Sequence, residues 1–133
     1  MILFSAINVS ASGLTAERLR LDSISSNLAN ANTSAPPGQE VYRRLVAVLA
    51  PARGSGPAGV QVLGLREEDA PPRLVHDPYH PDADEAGYVA YANINVVTEM
   101  VDMITATRAY EANITAINTA KSMFVKTLEI GRG

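Results

Sequence analysis

Proline is distributed very unevenly along this chain of 133 residues. All eight prolines lie between Pro36 and Pro81, and most of the nine glycines lie in or just after the same region. Because proline removes a backbone donor and disrupts a helix interior, the middle of the chain is unsuited to helix, whereas both flanks permit it. We therefore divide the chain into a helical segment (1–35), a small β-rich insert with Pro/Gly-rich loops (36–92) and a second helical segment (93–133).

The N-terminal segment repeats large apolar side chains every seven residues. The repeat consists of Ile7, Leu14, Leu21 and Leu28. A stripe of this period is typical of an amphipathic helix that packs lengthwise against a partner.

The C-terminal segment carries a longer stripe, in which the spacing alternates between three and four residues. Its large apolar members are Met100, Met103, Tyr110, Ile114, Ile117, Phe124 and Leu128. Asn93 and Asn95 offer N-caps and Gly131 a C-terminal stop, which predicts a helix over 96–130 of about 50 Å. A helix of this length in so short a chain cannot bury its stripe against a compact core, so it requires another long helix.

Small side chains form a row along one flank of the same segment. The row consists of Ala109, Ala112, Ala116 and Ala120, with asparagine and threonine residues between them. Small and hydrogen-bonding residues favour close helix contacts, and this mixture gives up intrinsic helix propensity.

The pattern of the insert predicts a small β element. Four runs, 41–49, 60–65, 73–76 and 88–91, are rich in β-forming residues or alternate between apolar and polar ones. The Gly-rich linker 54–59 would close a hairpin between the first two runs. We predict a short hairpin or meander here, and therefore a mainly α protein with a small β insert.

One run contains residue types that can bind a divalent metal. It begins at His76, includes His80 and ends at Glu85, with four carboxylates in ten residues. Pro78 and Pro81 stiffen this run, and its spacing fits neither an EF-hand loop nor a zinc-binding helix. A solvated turn that leads into the strand at Tyr88 is the favoured interpretation, so we expect no metal and no other cofactor.

Composition narrows the remaining functions. The chain has no cysteine and a formal net charge of −3, which excludes thiolate chemistry and argues against nucleic acid as a partner. Arg43 and Arg44 are interpreted as a charged strand surface. No apolar run approaches the roughly 20 residues of a membrane span, and the start of the chain lacks the pattern of a Sec signal. No catalytic residues are identified.

Both flanks carry motifs of a known family. The run 10–16 and the run 26–33 resemble the N-terminal signature of flagellar rod and hook proteins, and the run 93–123 is similar to the short proximal rod members of that family. The motif positions are Asn27, Asn30, Asn93, Asn95, Arg108, Tyr110, Glu111, Asn113 and Asn118.

This resemblance implies that the terminal helices pair as an antiparallel coiled coil and that subunits stack helically around an export channel. It implies a structural subunit of the proximal rod, which transmits motor torque, lies in the periplasmic space and is exported by the flagellar type III apparatus. The implied partners are further copies, other proximal and distal rod proteins, and the basal-body adaptor, MS ring or export gate.

Two other functions remain open at this point. A non-polymerising helical adaptor or export chaperone would bury the same stripes within a dimer. An enzyme would require a metal at His76, His80 and the neighbouring carboxylates.

Overall fold

Two long helices flank a small β region in the protein, which we describe from a computed structural model that covers residues 2–133. In chain order the elements are α1 (Ile2–Ala29), β1 (Ser34–Ala35), β2 (Leu45–Pro51), β3 (Val60–Glu67), β4 (Arg73–His76), β5 (Tyr88–Tyr91) and α2 (Val96–Arg132). The predicted mainly α class with a β insert is confirmed.

The two helices pack against each other and run in opposite directions. Near the start of α1, the ring of Phe4 meets that of Phe124 near the end of α2, with centroids 5.4 Å apart. Near the end of α1, the side chain of Asn27 donates a hydrogen bond to Glu99 in the first turn of α2, at 3.2 Å. The contact therefore extends along almost the full length of α1.

The ends of α2 follow from local sequence. Asn95 caps the N-terminus, because its Oδ1 accepts a hydrogen bond from the backbone N–H of Thr98 at 3.2 Å, as predicted. The predicted stop at Gly131 is wrong. Gly131 is not among the glycines with positive φ, and the helix continues to Arg132, where the N–H of Gly133 bonds to the carbonyl of Ile130.

The strands β2 and β3 form the predicted antiparallel hairpin. Their register shifts between Val48 and Leu49, so that Leu63 has no partner across the ladder and forms a bulge. The hairpin lies along α1, where the N–H of Val60 bonds to Ser12 Oγ at 3.1 Å. Gly59 has φ +74° beside Ser12, a conformation and a clearance that favour glycine.

The remaining strands form a separate three-stranded antiparallel sheet in the order β1-β5-β4. Sequence reasoning missed the two-residue strand β1, which pairs Ser34 with Tyr91 and Ala35 with Ala90. Val89 and Ala92 are completely buried at this end of the molecule. The sheet follows directly on α1 and leads directly into α2, so it joins the two helices at their adjacent ends.

Candidate assembly site

The face of α2 that meets α1 combines one column of small or polar side chains with one column of large side chains. Its most buried column is spaced at seven residues and consists of Glu99, Ala106, Asn113 and Ala120. Its second, half-buried column consists of Met103, Tyr110, Ile117 and Phe124. We call these two columns the seam. The seam shares its second column with the predicted stripe.

The other column of the predicted stripe lies one residue further around α2. Met100, Ile114 and Leu128 belong to this column, and all three are exposed. They lie outside the seam, so a packing role for them remains a prediction that concerns contacts between chains.

The small residues of the seam allow a close approach of the two helices. A Cβ atom added to Gly13 of α1 would lie 2.8 Å from Nδ2 of Asn113 in α2, well inside van der Waals contact. Of the alanine row, Ala120 is buried in the seam, whereas Ala112 and Ala116 are exposed. The row therefore contributes to the helix contact only in part.

Helix α1 is covered on two sides, by α2 and by the hairpin. Its predicted stripe is half-buried at each of its four members, Ile7, Leu14, Leu21 and Leu28. Its buried residues are Ala16, Ser23, Ile24 and Asn27. Ser23 and Asn27 are polar, so a search for apolar repeats does not identify these two residues.

The first two turns of α2 expose a patch of four large apolar side chains. The patch consists of Val97, Met100, Val101 and Ile104, each of which is more than half exposed. Contiguous apolar patches on a protein surface often mark contacts with other proteins, so this surface is a candidate contact between chains. We call it the outer patch.

A cluster of buried polar groups lies where α1, α2 and the start of β2 meet. Asn27 is 0% exposed, and its side-chain amide pairs with the backbone of Leu45: Nδ2 donates to the carbonyl at 2.9 Å, and Oδ1 accepts from the N–H at 2.8 Å. Oδ1 also accepts from the hydroxyl of Tyr42 at 3.0 Å. The asparagine thus supplies the hydrogen bonds that a neighbouring strand would provide.

Glu99 completes this polar cluster from α2. It is only 1% exposed, and its carboxylate accepts hydrogen bonds from Asn27 and from Nε of Arg44. The Arg44 guanidinium also lies 3.5 Å from the carboxylates of Glu68 and of Asp102. A buried carboxylate requires such a partner, because an isolated charge in the interior is very costly.

The interpretation of Arg44 as a strand surface charge is wrong. Its side chain is mostly buried, and its strongest contact is with Glu99, which lies 55 residues later in the chain. Partial burial lowers the pKa of Arg44, but the hydrogen bond and charge of Glu99, followed by those of Glu68, raise it above its ordinary value. Only the folded structure brings these groups together, and no local pattern marks them.

The other family-motif residues have diverse environments. Asn30 binds the carbonyl of Ser26 through Nδ2 at 2.8 Å at the end of α1, and Asn113 binds the carbonyl of Ala109 at 3.0 Å. Tyr110 is half-buried in the seam. Exposed positions are occupied by Asn93, Arg108, Glu111 and Asn118. A role for these exposed residues remains a prediction.

The His76–Glu85 run forms a turn that leads into β5, as predicted. Asp84 Oδ1 accepts from the N–H of Tyr88 at 2.8 Å, His80 Nδ1 accepts from the N–H of Asp82 at 3.0 Å, and the ring of His76 lies edge-on to Tyr88. Among residues 2–133, no three histidine or carboxylate side chains are grouped so that they could hold a metal ion.

Neither α1 nor α2, as described over residues 2–133, combines the length and apolar character needed to cross a membrane.

Comparison with known families gives two matches, one at each end of the chain. The family model described as flagella basal body rod protein matches residues 7–35, which contain most of α1. The model described as flagellar basal body rod FlgEFG protein C-terminal matches residues 85–130, which contain β5 and nearly all of α2. The matched segments are therefore those that form the helix pair.

Comparison with curated proteins finds relatives over the full length. Proteins named flagellar basal-body rod protein FlgC are 46% identical in Borreliella burgdorferi, with 100% of both chains covered. The identity is 44% in Bacillus subtilis and 41% in Escherichia coli, each with 99% of this chain and 100% of the relative covered. The similarity thus includes the insert, which neither family model reaches.

Proposed function

The chain belongs to the family of flagellar basal-body rod proteins, and from this membership we propose that it builds the proximal part of the rod. Like its relatives, it is a structural subunit of the flagellar basal-body rod and not an enzyme.

The observation that carries the proposal is the division of apolar residues on α2 between two faces. One face is closed by α1 within the chain, while the outer patch around Met100 and Ile104 stays open to solvent at 54% and 58% exposure. In the proposed rod, α1 and α2 pair as an antiparallel coiled coil, and the outer patch packs against neighbouring subunits. A heterologous contact that does not close on itself generates a helical array, which is the form a rod requires.

The wider arrangement follows from the kind of assembly to which the relatives belong. Subunits would stack helically around a central export channel and pass torque through their helix contacts, with the helical segments 1–35 and 93–133 inside and the insert 36–92 attached to them. Copies of this chain, other rod proteins, and the adaptor, MS ring or export gate would be its neighbours. It would reach the periplasmic space through the flagellar type III apparatus.

The test replaces one residue of the outer patch. In a strain that lacks the native gene, Ile104→Asp is expected to yield a folded protein, because the side chain is already largely solvated, but no rods and no swimming. Burial of an unpaired carboxylate between subunits costs several kcal/mol. Circular dichroism of the purified variant separates folding from assembly.

Ser55→Asp provides the matched control, since it adds the same charge at an exposed position in the hairpin loop. This strain is expected to swim normally. Normal rods in the Ile104→Asp strain would contradict the use of the outer patch in assembly. The relatives do not favour the alternative of a non-polymerising adaptor or export chaperone. That alternative predicts that neither the Ile104→Asp nor the Ser55→Asp protein is found in purified basal bodies.

A further inference from the structure

The buried polar cluster joins three segments that are far apart in the sequence. Asn27 comes from α1, Glu99 from α2, and residues 42–45 from the stretch that leads into the hairpin. The two helices contribute one half of the cluster each, so the complete receptor for residues 42–45 exists only when the helices are paired.

We propose that residues 42–45 form a strap that closes over the helix pair after the helices have paired, and that Arg44 makes this closure conditional on pairing. Leu45 binds Asn27 through both backbone groups, which holds the strap to α1. Arg44 binds Glu99, which holds the strap to α2. Closure on one helix alone would satisfy only part of these groups.

The charges around Glu99 explain why Arg44 is decisive. Among residues 2–133, Arg44 is the one cation that forms an ion pair with Glu99, and it also contacts Glu68 and Asp102. Removal of its guanidinium would leave a buried carboxylate near two further carboxylates without a counter-charge. Opening of the strap would relieve this cost, because water could then reach Glu99.

The strap controls the hairpin, because Leu45 is the first residue of β2. On the far side of the hairpin, the N–H of Val60 bonds to Ser12 of α1. Strap closure therefore aligns the hairpin along α1, and the same contacts stabilise the helix pair in return. Such coupling is reciprocal by thermodynamic necessity.

Hydrogen exchange on the full chain, followed by mass spectrometry, tests this proposal segment by segment. In Arg44→Met, protection in β2 and β3 is expected to fall about a hundredfold, the scale for breaking a buried ion pair at one partner. Protection in the middle of α1 and α2 is expected to fall as well, because the coupling is reciprocal, but to stay well above that of the hairpin. Arg43→Met is the matched control: Arg43 is more exposed and lies 3.8 Å from the exposed Asp69, so its replacement is expected to change neither region.

The double variant Arg44→Met, Glu99→Met separates charge from packing. It removes both partners and leaves Asn27 bonded to Leu45, so protection of the hairpin is expected to return to within about tenfold of the wild type. If Arg44→Met fails to fold, Arg44→Lys takes its place, since lysine keeps the charge but lacks the planar donors that reach three carboxylates. A smaller fall in hairpin protection is then expected, because lysine keeps the counter-charge of Glu99.

Three results would overturn the proposal. Unchanged hairpin protection in Arg44→Met would show that the strap does not depend on Arg44. Exchange of the hairpin and of both helices at the same rate in Arg44→Met would show one cooperative unit with no separate strap. Failure of the double variant to restore protection would show that Arg44 acts through packing and not through the charge of Glu99.

Discussion

The contact between Gly13 and Asn113 offers a quantitative test of how closely α1 and α2 approach. Gly13 lies in the interior of α1, where replacement of glycine by alanine normally stabilises a helix by about 1 kcal/mol. Here the added methyl group would lie 2.8 Å from Nδ2 and 3.0 Å from Cγ of Asn113. The side chain of Asn113 must therefore move for Gly13→Ala to be accommodated.

The cost of that movement can be estimated from the structure. Asn113 would lose its hydrogen bond to the carbonyl of Ala109, worth about 1 kcal/mol, and would shift away from its rotamer, which costs about 1 kcal/mol more. These losses exceed the gain in helix propensity. Gly13→Ala alone is thus expected to destabilise the protein by about 1 kcal/mol. In an Asn113→Ala background the obstruction is gone, and Gly13→Ala should stabilise by about 1 kcal/mol.

Chemical denaturation is applied to the wild type, Gly13→Ala, Asn113→Ala and the double variant. The effect of Gly13→Ala is expected to differ between the two backgrounds by a coupling free energy of about 2 kcal/mol. Gly131→Ala is the control, because Gly131 is also helical but an added Cβ would meet no atom within 4 Å. Its effect is expected to be weakly stabilising. Equal stabilisation by Gly13→Ala in both backgrounds would refute the close helix approach.

Three further changes test other parts of the structure. Asn27→Ala removes the partner of several buried groups and is expected to lower the free energy of unfolding by about 3 kcal/mol, whereas Asn8→Ala at an exposed position of α1 should not be destabilising; denaturant titration compares them. Ile117→Asp places an unpaired charge in the half-buried seam and is expected to cost several kcal/mol in the same titration; wild-type stability would contradict the assigned seam. Replacement of both His76 and His80 by Gln is expected to leave swimming on soft agar unchanged, and a loss of motility that zinc restores would contradict the interpretation of this run as a turn.

The presence and approximate positions of the two helices and of four strands could be predicted because local chemistry determines them. Proline is confined to the middle of the chain, Asn95 provides a side-chain cap, and the Gly-rich linker 54–59 separates two β-forming runs. Each of these features determines the backbone conformation only within a few residues of its own position. Gly131 misled the prediction because glycine ends a helix only where the chain adopts a left-handed turn, and here it does not.

The position of the seam could be predicted only in part, for a physical reason. A search for apolar residues at spacings of three and four finds the column of Met103 and Ile117, but it selects Met100 and Ile114 over their neighbours Glu99 and Asn113. Those neighbours are buried because a small or hydrogen-bonded side chain permits close helix approach. Apolar periodicity does not distinguish a face that packs within the chain from one that packs between chains.

The polar cluster could not have been predicted by pattern at all. Arg44 and Glu99 are ordinary surface residues in their local sequence, and their pairing depends on a strap, a hairpin and two helices coming together. The Asn27 motif position was identified through the family resemblance. The structure adds a physical role for it, as the side chain that completes the hydrogen bonding of Leu45.

A map of purified basal bodies by electron cryo-microscopy, at a resolution that shows side chains, tests the central claim most directly. We predict that this chain is found in the rod, with Phe4 against Phe124 inside each subunit and with Met100 and Ile104 buried against the neighbouring subunits. Absence of the chain from the rod would contradict its function as a rod subunit. Its presence with Met100 and Ile104 facing solvent would contradict the mode of assembly derived from the outer patch.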